Sequence, residues 1–137
     1  MRISIIRKGH FNAAHKLYIP SWSEEKNLAV FGKCANPHYH GHNYNMEVTV
    51  SGEVDPETGM LINLKDLRDI IGKYVEDRYD HRNPNEEFEE FKDLVPTAEN
   101  LCYTIWKILR EHLDDKYDLS VRLWETERNS VVYPAVS

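Results

Sequence analysis

The segment NMEVTVSGEV, residues 45–54, constrains the fold more than any other stretch because it alternates apolar and polar residues cleanly. Met46, Val48 and Val50 fall on one face of an extended strand, and polar residues fall on the other. Such alternation is typical of an antiparallel sheet with one face packed and the other exposed. We therefore expect a half-buried sheet whose apolar face is covered by other elements.

Three more segments have the character of strands: residues 2–17, residues 119–123 and the C-terminal residues 130–136. The sequence MLIN, residues 60–63, is expected to form an additional short strand after the turn DPETG. Residues 18–43 contain proline and glycine and show no clear period, so we expect a long loop there. Loops of this length inside a compact domain are usually functional.

Two further segments have the apolar spacing of amphipathic helices, each preceded by a residue that favours a helix N-terminus. Asn63 precedes the first segment and Thr97 precedes the second. The apolar stripes comprise Leu64, Leu67, Ile70, Ile71, Tyr74 and Val75 in the first helix and Leu101, Ile105, Ile108, Leu109 and Leu113 in the second. The charged stretch between them, residues 80–96, shows no regular period.

The order of elements, strands followed by two helices and then strands, predicts the α+β class with a four-stranded antiparallel sheet and both helices on one face. A chain of 137 residues suits a single domain spanning residues 1–137. The uncovered face is polar, and its residues are Glu47, Thr49, Ser51, Ser120, Arg122 and Trp124. Pairing with further copies of the chain is one way to protect the two edges of such a sheet.

The composition excludes several classes of protein. The formal net charge of −6 disfavours a nucleic-acid-binding protein, since phosphate contacts require clustered lysines and arginines. No apolar run approaches the ~20 residues that span a bilayer, so no membrane association is expected. The N-terminus lacks the pattern of a secretory signal, and the two cysteines indicate no secreted disulfide framework. We expect a cytoplasmic protein.

Histidines are concentrated in the segment CANPHYHGHNY. His40 and His42 stand two apart, so in an extended strand their rings point the same way and can bind one ion. A third neutral imidazole would complete the three-histidine, one-water set of a catalytic zinc site. His15, in FNAAH near the end of the first strand, is the candidate third ligand, and spacing alone leaves His10 and His38 as competitors.

Cys34 opens the same segment, and three interpretations of it remain open from the residues alone. It is a fourth zinc ligand in a closed structural site, a nucleophile or base, or a small buried side chain. Lys33 beside it mildly favours the thiolate. Asp80 and His81, in YDHRN, could relay protons to and from a cysteine, although the pair taken alone is better explained as a charged turn.

Two glutamates differ in how readily their positions are explained. Glu125 continues the apolar side of the alternation of Leu119, Val121 and Leu123, where an unpaired carboxylate is costly. Either the strand ends before Glu125 or its carboxylate has a partner. Glu99 lies near the start of the second helix, whose N-terminus favours negative charge.

Six motifs resemble, in order, those of the 6-pyruvoyl tetrahydropterin synthase family. They are FNAAH, FGKCANPHYHGHNY, DPETGMLINL, YDHRN, PTAEN and WETERNSVVY. The resemblance runs over nearly the whole chain and is specific as a set. It implies a tunnelling fold (T-fold), a four-stranded antiparallel sheet with two helices. Trimers of such subunits form a β-barrel lined by the polar face, and two trimers form a homohexamer.

The resemblance also implies roles for individual residues. The implied zinc ligands are His15, His40 and His42. The implied catalytic triad, shared across a subunit boundary, is Cys34, Asp80 and His81. The implied pterin-binding residues are Glu125, which anchors the guanidine-like edge of the pterin, and Thr97 and Glu99. Ala98 stands where the animal enzymes have a second threonine, so a pterin contact through that side chain is in question.

The implied activity is that of a lyase converting 7,8-dihydroneopterin triphosphate to 6-pyruvoyl tetrahydropterin and triphosphate, as in tetrahydrobiopterin biosynthesis. Zinc would acidify carbon-bound protons of the substrate side chain, and the Cys34 thiolate would move them. His81 would share the proton and Asp80 would orient His81. The triphosphate needs cations; Mg²⁺ is one candidate, and the candidate side chains are Lys16, Lys33 and Arg7.

Two alternatives accompany this interpretation. The first is 6-carboxytetrahydropterin synthase of the queuosine pathway, a relative that uses the same substrate. Its cysteine stands closer to the HGH histidine, whereas Cys34 and His40 are six positions apart here, which favours the pyruvoyl type. The second is a non-catalytic, zinc-stabilised pterin-binding module in which Cys34 completes a closed metal site.

Overall fold

The computed structural model describes residues 1–136, and Ser137, the last residue of the predicted domain, lies outside the described residues. Within residues 1–136, four strands form one antiparallel sheet in the order β1-β2-β3-β4. Their bounds are Arg2–His15 for β1, His40–Glu53 for β2, Asp118–Trp124 for β3 and Ser130–Tyr133 for β4. The predicted α+β class and antiparallel sheet are confirmed.

Helical segments occupy the connections between the first three strands. The α-helices are α1 Glu24–Phe31, α2 Leu64–Ile71, α3 Asp77–Tyr79, α4 Pro84–Glu87 and α5 Ala98–His112. The 3₁₀ turns are Gly32–Ala35 and Glu89–Phe91, and the π-helical turn that joins α2 to α3 is Gly72–Glu76. None of the helices within residues 1–136 has the length and apolar character needed to cross a bilayer.

The two predicted helix N-termini are confirmed by their side-chain hydrogen bonds. The Asn63 side-chain oxygen accepts a hydrogen bond of 2.9 Å from the backbone N–H of Lys65 at the start of α2. The Thr97 hydroxyl accepts one of 3.1 Å from the backbone N–H of Asn100 at the start of α5. Each bond satisfies a backbone donor that has no partner within its helix.

The core lies between the inner face of the sheet and the helices. Met46, Val48 and Val50 are almost fully buried there, as the alternation predicts. The largest other buried side chains include Phe11, Tyr44, Leu67, Ile71, Tyr79, Leu101, Ile105, Leu109 and Leu123. Leu64 does not belong to the apolar stripe of α2, because its side chain is 60% exposed.

Three expectations about local structure are wrong. Residues 18–43 are not one loop, since they contain α1, whose N-cap residue Ser23 accepts a side-chain hydrogen bond from the Lys26 N–H. MLIN forms no strand; the backbone N–H of Asp55 bonds the carbonyl of Met60 and closes a turn instead. β2 begins at His40 rather than at Asn45, because the histidine segment pairs with β1 up to His15.

The outer face of the sheet is polar, as predicted, and the sheet is open at β1 and β4. The Lys8–Glu47–Arg122 row crosses three strands on this face. A single bridge between Ala13 and Arg82 occupies the outer edge of β1 near its C-terminal end. In the part of the chain that the structure describes, no strand pairs with the outer edge of β4.

Candidate active site

Three histidines converge at one end of the sheet on its inner face. His15 at the end of β1 is the register partner of His40 at the start of β2, and His42 follows two residues later. Cross-strand partners and residues two apart share a face, so the strand geometry brings all three rings together. Their ligand nitrogens lie within 4.8 Å of one another.

His15 is fixed by neighbours as well as by its strand. Its Nδ1 lies 2.8 Å from the backbone carbonyl oxygen of Pro96, which can only accept, so Nδ1 carries the proton and donates. The hydroxyl of buried Tyr44 lies 3.3 Å from the same nitrogen. The Nε2 of His15 is thereby left free of a proton and available to a ligand.

The cluster has the chemistry of a metal site. The Nε2 atoms of His15 and His42 and both ring nitrogens of His40 are buried without a hydrogen-bond partner within residues 1–136. Burial lowers the pKa of His15 to about 4, and burial with the nearby His42 lowers the pKa of His40. Neutral imidazoles with unused lone pairs are what a divalent transition metal requires, so these residues fit an ion.

Glu125 lies at the same site. β3 ends at Trp124, one residue earlier, and a carboxylate oxygen of Glu125 is 3.5 Å from His42 Nε2. About a quarter of its side chain is exposed. The strand therefore ends before Glu125 and its carboxylate also has a neighbour, so both explanations offered by the sequence apply. The result is a negative charge at the rim of the cluster.

Cys34 sits on the 3₁₀ turn Gly32–Ala35 as a half-buried free thiol. Its backbone carbonyl accepts a hydrogen bond of 2.7 Å from Leu17 N–H, which ties the turn to the end of β1. Burial raises the pKa of Tyr44, with smaller contributions from Glu125 and Cys34. Within the described residues, the group at ligand distance contains the three histidines and not Cys34.

Asp80 and His81 lie at the outer edge of β1. The Asp80 carboxylate accepts hydrogen bonds from Asn12 N–H at 2.8 Å and pairs with His81 Nδ1 at 3.0 Å. The bond from Asn12 is the main cause of a lowered Asp80 pKa. His81 has φ 58° and a side chain that is 81% exposed. A left-handed, non-glycine residue held outward in this way is typical of functional sites.

The structure brings some sequence candidates together and separates others. His15, His40, His42 and Glu125 form one group, and the Cys34 turn is hydrogen-bonded to Leu17, two residues after His15. Across residues 1–136, no hydrogen bond or ion pair joins Cys34 to the Asp80–His81 pair. The remaining candidates are arranged as follows: Thr97 caps α5 directly after Pro96, Glu99 is exposed on its first turn, and His10 and His38 are exposed away from the cluster.

Residues 4–135 match the family model of 6-pyruvoyl tetrahydropterin synthase. The chain belongs to this family. The 6-pyruvoyl tetrahydrobiopterin synthases of Pongo abelii and Homo sapiens are each 43% identical to it over 129 residues, covering 94% of this chain and 89% of each relative. The solved structure of Caenorhabditis elegans 6-pyruvoyl tetrahydropterin synthase has a TM-score of 0.91 and 33% identity, covering 99% of this chain and 97% of that chain.

Family membership confirms the resemblance drawn from the six motifs, and the structural match fits the α+β T-fold. In this 6-pyruvoyl tetrahydropterin synthase family member, the sequence analysis missed two groups that contact His15. Tyr44 had a signal, because it continues the period of two set by His40 and His42. The Pro96 carbonyl had none, since every residue carries such a group.

Proposed function

We propose that the protein is a metal-dependent carbon–oxygen lyase that converts 7,8-dihydroneopterin triphosphate to 6-pyruvoyl tetrahydropterin and releases triphosphate. The observation that carries this proposal is the cluster of His15, His40 and His42, which has ring nitrogens that lack hydrogen-bond partners within residues 1–136 and lies beside the Glu125 carboxylate. Membership of the family and 43% identity to synthases named for this product support it.

Zn²⁺ is the ion that suits the three-histidine cluster. Three neutral imidazoles with an open fourth position form a recurrent catalytic zinc site. When bound, the ion supplies the Lewis acidity that makes protons on the substrate side chain easier to remove. His15 is held in the required tautomer by Pro96, whose carbonyl is the partner that ligand histidines commonly use.

Glu125 is proposed to bind the pterin. A carboxylate pairs with two N–H groups of an amidine-like edge, and this gives specificity as well as affinity. The Glu125 carboxylate lies 3.5 Å from His42 Nε2. A pterin bound to it would have the side chain of the pterin directed toward the histidine cluster. Thr97 and Glu99 are proposed to border the same pocket, since Pro96 links the start of α5 to His15.

Proton transfer is proposed for Cys34, with Asp80 and His81 supplied by a neighbouring copy. Two observations support a shared site: within residues 1–136 no hydrogen bond or ion pair joins Cys34 to Asp80 or His81, and the sheet is open at β1 and β4. Closure of three sheets into a barrel and pairing of trimers into a homohexamer would bring the halves together.

The proposal also includes a metal ion bound to the substrate triphosphate and a cellular location. Mg²⁺ is proposed to accompany the substrate triphosphate, because phosphate oxygens are the ligands it prefers. A cytoplasmic location is proposed because Cys34 and Cys102 are free thiols, as a reducing compartment keeps them.

The pterin role of Glu125 predicts a selective loss in the Glu125→Gln variant. The amide keeps the shape but removes the charge, so kcat/KM should fall roughly ten- to a hundredfold, mostly through KM. Glu127→Gln makes the same charge change at an exposed position two residues away and should leave kinetics unchanged. Equal kinetics for Glu125→Gln and the native protein would remove Glu125 from the pterin site.

A product assay tests the activity itself. The zinc-loaded protein would be incubated with 7,8-dihydroneopterin triphosphate under reducing, anaerobic conditions, and the pterin would be identified by mass. We expect 6-pyruvoyl tetrahydropterin and triphosphate in equal amounts. A 6-carboxy product with acetaldehyde would assign the protein to the queuosine-type reaction, and zinc binding without turnover would contradict an enzymatic role.

A further inference from the structure

A cavity of about 600 Å³ is lined by Lys16, which directly follows His15. Pro96, the hydrogen-bond partner of His15, lines the same cavity. So does Tyr39, which directly precedes His40. The cavity is therefore connected to two of the three proposed metal ligands through their immediate neighbours.

Lys16 differs from the other lysines of the chain. All nine lysines lie within the described residues, and Lys16 is half-buried while the other eight are exposed. A half-buried lysine commonly packs its methylene stem against its neighbours while its ammonium group reaches water or a ligand. Within residues 1–136, no carboxylate oxygen lies within 4 Å of the Lys16 amine.

Lys16 is held in place by its surroundings. The backbone N–H of Lys16 donates to Asn85 Oδ1 at 2.8 Å, and Asn85 Nδ2 donates back to the Lys16 carbonyl at 3.0 Å. The Lys16 amine lies 5.1 Å from the ring centroid of Tyr18 and 5.0 Å from that of Tyr39. Aromatic faces attract a cation, but they leave its hydrogen-bond donors free for a ligand.

The Tyr39 ring is itself fixed. Its hydroxyl donates a hydrogen bond of 2.7 Å to Glu86, and this bond raises the pKa of Tyr39 to about 12. Tyr39 also has a left-handed backbone with φ 66°, an infrequent conformation for a residue with a side chain. The Tyr39 ring that faces the Lys16 amine is therefore held by its hydroxyl hydrogen bond and by its backbone conformation.

The charges around the cavity favour an anion with several negative groups. Lys92 is a second cation among the lining residues, and Asp93 beside it is an exposed carboxylate. Lys33 and Arg7, the other cations considered from the sequence, are exposed and do not line this cavity. An extended anion with several negative groups, lying along the cavity, would meet both Lys16 and Lys92 among the lining residues.

We propose that this cavity binds the polyphosphate chain of the substrate, with Lys16 as the principal cation and Lys92 as the second. This assignment rests on the proposed function, because it takes the substrate to be a pterin triphosphate. A substrate side chain placed at the histidines would direct its phosphates past Tyr39 and Pro96 into the cavity. Lys16 would then bind the leaving group of the elimination.

Direct binding of inorganic triphosphate tests the proposal without requiring turnover. Calorimetry would be performed on the protein as purified, with its metal content measured before and after titration. The Lys16→Gln variant should bind inorganic triphosphate roughly ten- to a hundredfold more weakly, as expected for loss of a charge-assisted hydrogen bond. Lys16→Arg, which keeps the charge, should recover most of the affinity.

Two matched variants exclude a general effect of charge or of misfolding. Lys26 also lies over an aromatic ring, 4.1 Å from the centroid of Trp22, but it is exposed and does not line the cavity. Lys26→Gln should leave triphosphate binding unchanged. Asp93→Asn removes a repulsive charge from the cavity and should tighten binding, an opposite shift that misfolding would not produce.

The outcomes separate this assignment from the proposed activity. Absence of triphosphate binding by the native protein, or equal binding by the native protein and Lys16→Gln, would overturn the polyphosphate site. Turnover with an unchanged KM in Lys16→Gln would do the same while leaving the lyase activity intact. Triphosphate binding that depends on Lys16 in a protein without turnover would support the site and contradict the activity.

Discussion

The Cys34→Ala variant should lose turnover by about 10²–10⁴-fold while keeping its fold and its bound metal. Cys34 is a free, half-buried thiol on a turn hydrogen-bonded to Leu17, two residues after His15, and it lies outside the group at ligand distance. Removing its sulfur therefore removes a proton carrier rather than a ligand. Steady-state kinetics, metal analysis and thermal melting on the same preparation would measure all three properties.

Cys102 provides the matched control. It is also a free thiol, but it is buried in the core, and its S–H lies 3.4 Å from the Val121 carbonyl. Cys102→Ala should lower the melting temperature and leave kcat of the folded protein near the native value. If Cys34→Ala instead loses metal and stability together, Cys34 is a ligand, and the non-catalytic zinc module becomes the better interpretation.

Complementation would show whether the acid–base groups come from two subunits. Cys34→Ala and His81→Ala subunits should each be inactive alone. Co-expressed, they should form mixed assemblies in which some sites have an intact Cys34 and an intact His81. If the active site is built from two subunits, the mixed assemblies should recover part of the native activity. Mixed assemblies that form but remain inactive would contradict a site built from two subunits.

His40→Ala should release the metal and abolish activity. His40 contributes the ring closest to His15, with centroids 4.4 Å apart, and both of its ring nitrogens lack other partners in the described structure. Removing a residue that hydrogen-bonds to a metal ligand typically lowers metal affinity 10- to 100-fold. Removing the ligand itself should therefore lower metal affinity by at least about a hundredfold. Metal content per subunit would fall well below one after dialysis.

His38→Ala is the control for that loss. His38 is an exposed residue two positions before His40. The His38→Ala variant should therefore retain full metal content and activity. The melting temperature gives a second test that does not depend on turnover. Added zinc should raise the melting temperature of the metal-free native protein and of His38→Ala. It should not raise that of His40→Ala. An equal response in His40→Ala would exclude His40 from the metal site.

The sheet and its main helices could be predicted because their signals are local. The alternation of Met46, Val48 and Val50 and the caps Asn63 and Thr97 each depend on a few neighbouring residues. Helix α1 escaped detection because apolar residues such as Leu28 and Val30 are exposed on it and give no buried stripe. Its one clear signal was Ser23, followed by two glutamates in the first turn.

The candidate metal site could be anticipated in part for the same reason. His40 and His42 were paired by the period of a strand, whereas the choice of His15 over His10 and His38 depended on the register between two strands. The cavity at Lys16 could not be anticipated, because it depends on Asn85, Tyr39 and Pro96, which come from distant parts of the chain. Neither single-residue propensity nor spacing encodes such contacts.

The hydrogen bond from His15 to Pro96 restricts what that imidazole can do. Its one N–H is committed to a peptide carbonyl, and its other nitrogen is committed to the proposed ion, so the ring has neither a proton nor a lone pair for the substrate. His15, the buried member of the cluster, is thus suited to holding an ion, whereas His81, the histidine proposed for proton transfer, has a side chain that is 81% exposed. Because the Pro96 carbonyl directly precedes Thr97, the cap of α5, a shift of that helix start would alter the hydrogen bond that orients the His15 ring.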